Sequence, residues 1–266
     1  MSVMLNILPF LHPDIAQYIS THPGAGKLTE IRLRNSQPIA LHIGRRVQLL
    51  PHKATPQHIH QTMEKISQHS IYAFQQELTQ GYITLPGGHR VGVVGQAVIE
   101  AGRIKSWRYI SSINIRIARE IVGCAAPYLP SIMGESLRHS LIISPPGAGK
   151  TTVLRDIVRS LSHQSYTVGL ADERGEIAAC HQGIPQHDVG PHTDIIEGAP
   201  KHIAMEILLR TMSPKVIAVD ELGTKEDMAM LEKISTAGIT LICTAHGSDP
   251  AKMQIPHFFE NIIMLK

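Results

Sequence analysis

The sequence predicts an α/β protein in two parts: a mainly parallel sheet covered by helices over residues 141–266, and a smaller, arginine-rich α+β part over 1–122. A connector at 123–140 joins them. Three observations predict this. From residue 141 on, short segments that are apolar through both faces alternate with amphipathic ones, the pattern of strands buried in a parallel sheet between helices. Before residue 120 the strand-like segments instead alternate polar and apolar residues and are punctuated by glycine, as half-buried antiparallel strands are. Between the two parts, residues 123–140 carry two prolines and two glycines, which breaks any long periodic element.

In the first part, LHPDIAQYISTH has helical spacing. LTEIRLR then alternates, with Leu28, Glu30, Arg32 and Arg34 on one face and Thr29, Ile31 and Leu33 on the other. QPIALHI and RRVQLL read as short strands around Gly44. TPQHIHQTMEKISQHS and IYAFQQELTQ read as helices, the first opened by Thr55 and Pro56. The run from Gly81 to Glu120 reads as a small antiparallel sheet with turns at Gly87-Gly88 and Ala101-Gly102. In the second part, SLIIS, TVGLAD, KVIAVDE, GITLICTAH and NIIMLK read as strands. KTTVLRDIVRSLS, APKHIAMEILLRTM and TKEDMAMLEKIST read as helices.

Composition narrows the function classes. With 43% hydrophobic and 18% charged residues the chain is globular rather than disordered. The three cysteines are widely spaced and form no CxxC, which fits a reducing compartment. The N-terminus lacks the basic start of a signal peptide, and no apolar run is long enough to span a membrane. Charge is uneven: residues 1–140 hold 14 Lys+Arg against 7 Asp+Glu, and residues 141–266 hold 11 against 15. Ten of the 14 are arginines, which grip phosphate or carboxylate with paired bonds or simply form a solvated basic face.

The pentapeptide PGAGK occurs twice. A phosphate loop needs a buried strand before it, glycines whose amides can wrap an anion, and a helix starting at once. The copy at 23–27 follows a helix, has Leu28 rather than a hydroxyl residue after Lys27, and runs into a strand, so Gly24 and Gly26 are expected only to turn the chain. The copy at 146–150 meets every requirement. Ser144, Pro145, Pro146, Gly147, Ala148, Gly149, Lys150, Thr151 and Thr152 are the expected nucleotide-binding residues, with Ser144 where the pattern G-x-x-x-x-G-K-[ST] has its first glycine. About seventy residues on, the strand KVIAVDE ends in Asp220 and Glu221. A carboxylate at the end of the strand beside the loop can join Thr151 in holding Mg²⁺, and Glu221 can act as general base on water. His246 in TAHG sits at another strand end and is a candidate γ-phosphate sensor or an ordinary loop histidine. Asp172, Glu173, Arg174 and Glu176 in ADERGEIA fall at the same edge, either as contacts to Mg²⁺ and its water or as acids at a helix start. The stretch CHQGIPQHDVGPHTD, with Cys180, His181, His187 and His192, reads as an irregular surface loop; its spacing fits no standard zinc pattern.

The phrases SPPGAGKTTVLRDI, DERGEIAAC, LLRTMSPKVIAVDELGTKED and TAHG, together with EIRLR, GYITLPGGHRVGVVGQAV and SSINIRIARE, resemble the stage III sporulation protein AA family over nearly the whole chain. The resemblance implies a RecA-like core related to type II and type IV secretion ATPases, with ATP and Mg²⁺ as ligands. It also implies a homo-hexameric ring on the cytoplasmic, mother-cell face of a membrane-embedded sporulation channel complex. It gives Lys150, Thr151, Asp220 and Glu221 their phosphate, metal and base roles, with Glu173 and His246 in the aspartate and histidine boxes. At least one of Arg32, Arg34, Arg116 and Arg119, read as lying on strand-like segments, is then expected to approach the γ-phosphate. Family members are also expected to continue beyond NIIMLK. A nucleic-acid-dependent ATPase is the first alternative, disfavoured by the 4% aromatic content. An ATP-binding assembly platform without turnover is the second.

Overall fold

Six strands of the first unit, which runs to Arg119, build one antiparallel sheet. They are β1 (Leu28–Arg34), β2 (Pro38–Ile43), β3 (Arg46–Lys53), β4 (Tyr82–Leu85), β5 (His89–Glu100) and β6 (Arg103–Arg116), in the order β3-β2-β1-β6-β5-β4. The structure is a computed structural model that describes residues 6–44, 46–67 and 82–265. The expected helix over 71–80 lies outside the described residues. Helices α1 (Pro13–Thr21) and α2 (Pro56–Ile66) pack Ile15, Ile19, Ile59, Met63 and Ile66 against Ile31, Leu33, Leu41, Val91, Ile113 and Ile115 of the sheet. Helix α2 starts where the sequence places it. The Thr55 hydroxyl accepts the His58 amide at 3.2 Å, the His58 ring accepts the Thr55 amide at 3.3 Å, and Pro56 fills the first turn.

Two local readings change in this unit. Leu28, expected on the displayed face with the arginines, is buried, because a bulge between Leu28 and Glu30 shifts the register of β1 against β2 and turns Leu28 inward. The first PGAGK copy does only what its context allows: Ala25–Lys27 make one 3₁₀ turn between α1 and β1.

The second unit, from Glu120 on, carries a parallel sheet. Its strands are β7 (Ser140–Ser144), β8 (Val168–Asp172), β9 (Thr193–Glu197), β10 (Val216–Val219), β11 (Thr240–His246) and β12 (Asn261–Met264), in the order β12-β7-β11-β10-β8-β9. Alternate residues serve opposite cores. Ile142, Leu170, Ala218 and Ile242 pack with Leu154, Ile157 and Leu161 of α4 (Lys150–His163) and Ile132 of the short helix α3 (Leu129–Met133). Leu141, Ile143, Ile217, Val219 and Leu241 pack with Leu208 of α5 (Lys201–Thr211) and Leu231 and Ile234 of α6 (Lys225–Thr236). Burial on both faces is why these strands read as unbroken apolar runs. Strand β9 escapes the sequence reading. Its residues TDIIE are only partly buried at the sheet edge, so the apolar signal shrinks to two isoleucines, and Thr193 and Asp194 belong to it rather than to the preceding loop.

Candidate active site

The chain leaves β7 at Ser144 and enters α4 at Lys150 through Pro145–Gly149. Gly147 (φ 79°) and Gly149 (φ 91°) both take left-handed backbone, which a side chain disfavours. No neighbouring atom crowds either one, so conformation alone requires glycine there. Ser144 has no such demand. It is buried in extended β7, paired with His246 of β11, and its hydroxyl turns back to the Pro145 carbonyl at 3.0 Å. The missing glycine therefore costs the loop no backbone strain. The first turn of α4 contains no acidic residue and its N-cap, Gly149, supplies no side-chain acceptor, so the amides at the helix start are left to an anion.

Asp220 and Glu221 follow β10, and here the topology corrects the sequence reading. Strand β10 does not lie beside β7. Strand β11 pairs with both and stands between them. The gap is closed by side chains. The Thr151 hydroxyl donates to Asp220 Oδ2 at 2.7 Å, and Thr244 of the intervening β11 donates its hydroxyl to Asp220 Oδ1 while accepting the Glu221 amide at 2.8 Å. Thr244 thus fixes both acids, a role invisible in the sequence because it depends on which strand is inserted. The cluster of a hydroxyl and a buried carboxylate is a hard oxygen donor set that suits Mg²⁺.

Glu221 is the hub. Its Oε1 accepts from Lys150 Nζ at 2.8 Å and lies 2.9 Å from His246 Nε2; its Oε2 accepts from Arg174 at 3.2 Å. The Lys150 hydrogen bond, working against partial burial and aided by the charges of Lys150, His246 and Arg174, holds the Glu221 carboxyl below the usual glutamate range. Glu221 also sits at φ 51°, unusual for a residue with a Cβ. With Lys150 only 5% exposed, its ammonium faces Glu221 and His246.

The ADERGEIA segment is not a helix start. It is a turn folded around a carboxylate. Asp172 ends β8 and accepts the amides of Glu176, Ile177 and Ala178 at 2.9–3.0 Å. Burial pushes its carboxyl above the ordinary aspartate value in spite of these three bonds. Glu173 pairs with Lys201 at 2.6 Å, and Arg174 reaches Glu221.

A profile of the family described as sporulation stage III, protein AA matches residues 6–264. The chain belongs to that family. Stage III sporulation protein AA of Bacillus subtilis (strain 168) is 40% identical over 226 residues, covering 83% of this chain and 74% of the relative. The uncharacterised protein ycf45 of Cyanidium caldarium is 28% identical over 92% of this chain and 68% of its own. Among solved structures, the pilus retraction motor PilT with bound ADP aligns with TM-score 0.61 and 15% identity over 88% of this chain and 66% of the motor. The ATPase DotB of Legionella pneumophila aligns with TM-score 0.55 and 16% identity over 90% of this chain and 67% of its own. At these identities the structural likeness speaks for the fold, which is RecA-like.

In this stage III protein AA family member the four arginines of the first unit divide. Arg32 bonds Glu30, Arg116 lies 4.0 Å from the same carboxylate, and Arg32 and Arg34 line a cavity of about 250 Å³ on the sheet with Asn114. Arg119 departs from expectation. It lies beyond β6, not on a strand, and its guanidinium is spent on the carbonyls of Gly26 and Leu28 at 2.9 Å each. Of the histidine-rich loop, His187 faces Glu120 at 3.1 Å, and the structure does not gather Cys180, His181, His187 and His192 into a metal-ligand cluster among the described residues. Arg155 was missed by sequence reasoning altogether. Half-buried on α4, it donates to the carbonyls of Ile177 and Glu176 at 2.6 and 2.5 Å and ties the DERGE turn to the phosphate-loop helix. It carries no sequence signal, because it falls on the polar arc of α4 with Thr152 and Arg159.

Proposed function

We propose that this protein hydrolyses ATP in a Mg²⁺-dependent reaction, as a homo-hexameric ring on the cytoplasmic face of a membrane-embedded channel complex in sporulation, which it energises or assembles. The observation that carries the hydrolase reading is the convergence of Lys150, Thr151, Asp220, Glu221, Thr244 and His246 at the C-terminal ends of β7, β10 and β11. Ligands bind there in parallel α/β sheets. The placement in sporulation rests on the family, and the ring and channel on what the sequence resemblance to that family implies. No helix among the described residues is long and apolar enough to cross a membrane.

The chain's own groups supply the following steps. The Gly147–Gly149 backbone and the α4 amides receive the phosphates, and Lys150 leaves Glu221 for the outer phosphates. Glu221, ionised at neutral pH, orients a water and takes its proton. The water oxygen bonds to the γ-phosphorus as the bond to the bridging oxygen breaks, giving ADP and inorganic phosphate. Thr151 and Asp220 are the residues that would hold Mg²⁺, which when bound neutralises phosphate charge. His246, beside Lys150 and Glu221, is placed to follow the γ-phosphate. Glu173 is proposed to act at the same edge, and Arg32, Arg34 or Arg116 to approach the γ-phosphate.

The test is Mg²⁺-dependent phosphate release by the purified chain, with its mass measured by light scattering. Turnover is expected to fall by roughly 100-fold or more in Lys150→Ala. ATP binding without turnover in an assembled sample would replace hydrolysis by a nucleotide-binding platform. Stimulation by single-stranded DNA or RNA would favour the nucleic-acid-dependent alternative.

A further inference from the structure

We infer that Arg174 is a positioning residue that keeps Glu221 aimed once phosphate has drawn Lys150 away. The inference rests on the hydrolase reading and adds to it the group that holds the base. Two observations and one argument between them support it. Glu221 divides its oxygens, Oε1 facing Lys150 and His246 and Oε2 facing Arg174 at 3.2 Å. The first of these partners is the one a nucleotide must take, since the same ammonium cannot serve both a γ-phosphate and Glu221 fully. The partner on Oε2 is unaffected by that exchange, so the arginine becomes the remaining strong cation on the carboxylate.

The second observation is that Arg174 does not stand on a slack loop. Asp172 accepts three consecutive amides from Glu176 to Ala178, and Arg155 of α4 holds the carbonyls of Glu176 and Ile177. Gly175, next to Arg174, takes φ 59°, and a Cβ there would lie 1.9 Å from Glu197 Oε1. The turn is thus fixed from the strand below, the helix beside it and the neighbouring strand β9. An exposed arginine–carboxylate pair ordinarily contributes little, because both side chains must be ordered to form it. Here the arginine's backbone is ordered in advance, and its side chain, 67% exposed, can follow Glu221 through the cycle.

The test compares wild type, Arg174→Gln and Arg174→Lys in Mg²⁺-ATP turnover. The Gln variant is expected to lower kcat about 10-fold or more with KM changed less than about 2-fold. The Lys variant is expected to recover part of the loss. An unchanged kcat overturns the inference, and a loss confined to KM reassigns Arg174 to ATP binding. A second readout is independent of turnover: the crystal structure of Lys150→Gln, in which the lysine partner of Glu221 is removed. Glu221 Oε2 still within hydrogen-bond distance of Arg174 supports the inference, and a Glu221 carboxylate turned away from Arg174 overturns it. If wild type does not turn over, the hydrolase reading fails on that result while the crystal structure still decides whether Arg174 holds Glu221.

Discussion

Single residues at the site carry uneven weight, and the bonds say which matter. Thr244 serves two buried partners with one hydroxyl, Asp220 and the Glu221 amide. Thr244→Val keeps the shape and removes both bonds. It is expected to cost about 1–3 kcal/mol in urea unfolding and to lower turnover, because a carboxylate oxygen and an amide are left unmatched. Ser144 makes the opposite prediction. Because it lies in extended β7 with ordinary backbone, Ser144→Gly should change nucleotide affinity by less than about 2-fold in calorimetric titration. Gly149→Ala, placed at φ 91°, should weaken it about 10-fold or more. That Lys150, Thr151, Asp220 and Glu221 belong to one site was legible from spacing, because a phosphate-loop pattern and an acidic strand end are local patterns. Thr244 and Arg155 were not, since each acts on a residue that the fold, not the chain order, puts beside it.

At the scale of elements, the helix starts follow local chemistry closely. Helix α6 opens with a reciprocal box in which the Thr224 hydroxyl accepts the Asp227 amide at 3.0 Å and Asp227 accepts the Thr224 amide at 3.1 Å. Thr224→Ala should cost about 1 kcal/mol, measured as a shift in the denaturant midpoint of the second unit. Strands were legible when buried on both faces, as β7, β10 and β11 are, or when alternating cleanly, as most of β1 is. Reading failed at the edge strand β9, where burial is partial, and at Leu28, where a bulge breaks the period. At the DERGE turn it left a helix start open as one of two readings, and the structure excludes that one. There the Asp172 carboxylate replaces the backbone partners that a helix would have supplied.

The molecule as a whole has separate hydrophobic cores in its two units, one built from residues between Ile7 and Ile117 and the others from residues between Ala125 and Leu265. Calorimetry of the full chain should therefore resolve more than one transition. Acid should weaken the first unit selectively. His89 is fully buried there, its Nδ1 accepting the Ala118 amide at 3.1 Å while Nε2 has no hydrogen-bond partner among the described residues, and burial lowers its pKa from 6.5 to about 4. A lowered folded value means that the unfolded chain takes up the proton first. The stability contributed by the neutral ring is present above pH 6.5, declines as pH falls and is lost by about pH 4, an effect of up to about 3 kcal/mol. If the transition of the first unit moves no more than that of the second between pH 7 and pH 4.5, His89 is not the controlling group.

By itself the sequence determined the class of fold, the starts of α2 and α6, which copy of PGAGK joins a buried strand to a helix, and the acids that meet it. Each of these is written in periodicity or in residues a few positions apart, where sterics and local hydrogen bonding decide. Only the tertiary structure decided that β11 stands between β7 and β10, that Thr244 therefore bridges the two acids, and that Arg119 is tied to backbone carbonyls. It also decided that Lys150 and Arg174 meet on opposite oxygens of one glutamate. Those facts depend on strand order and on contacts between residues 23 to 93 positions apart, and no local preference encodes them.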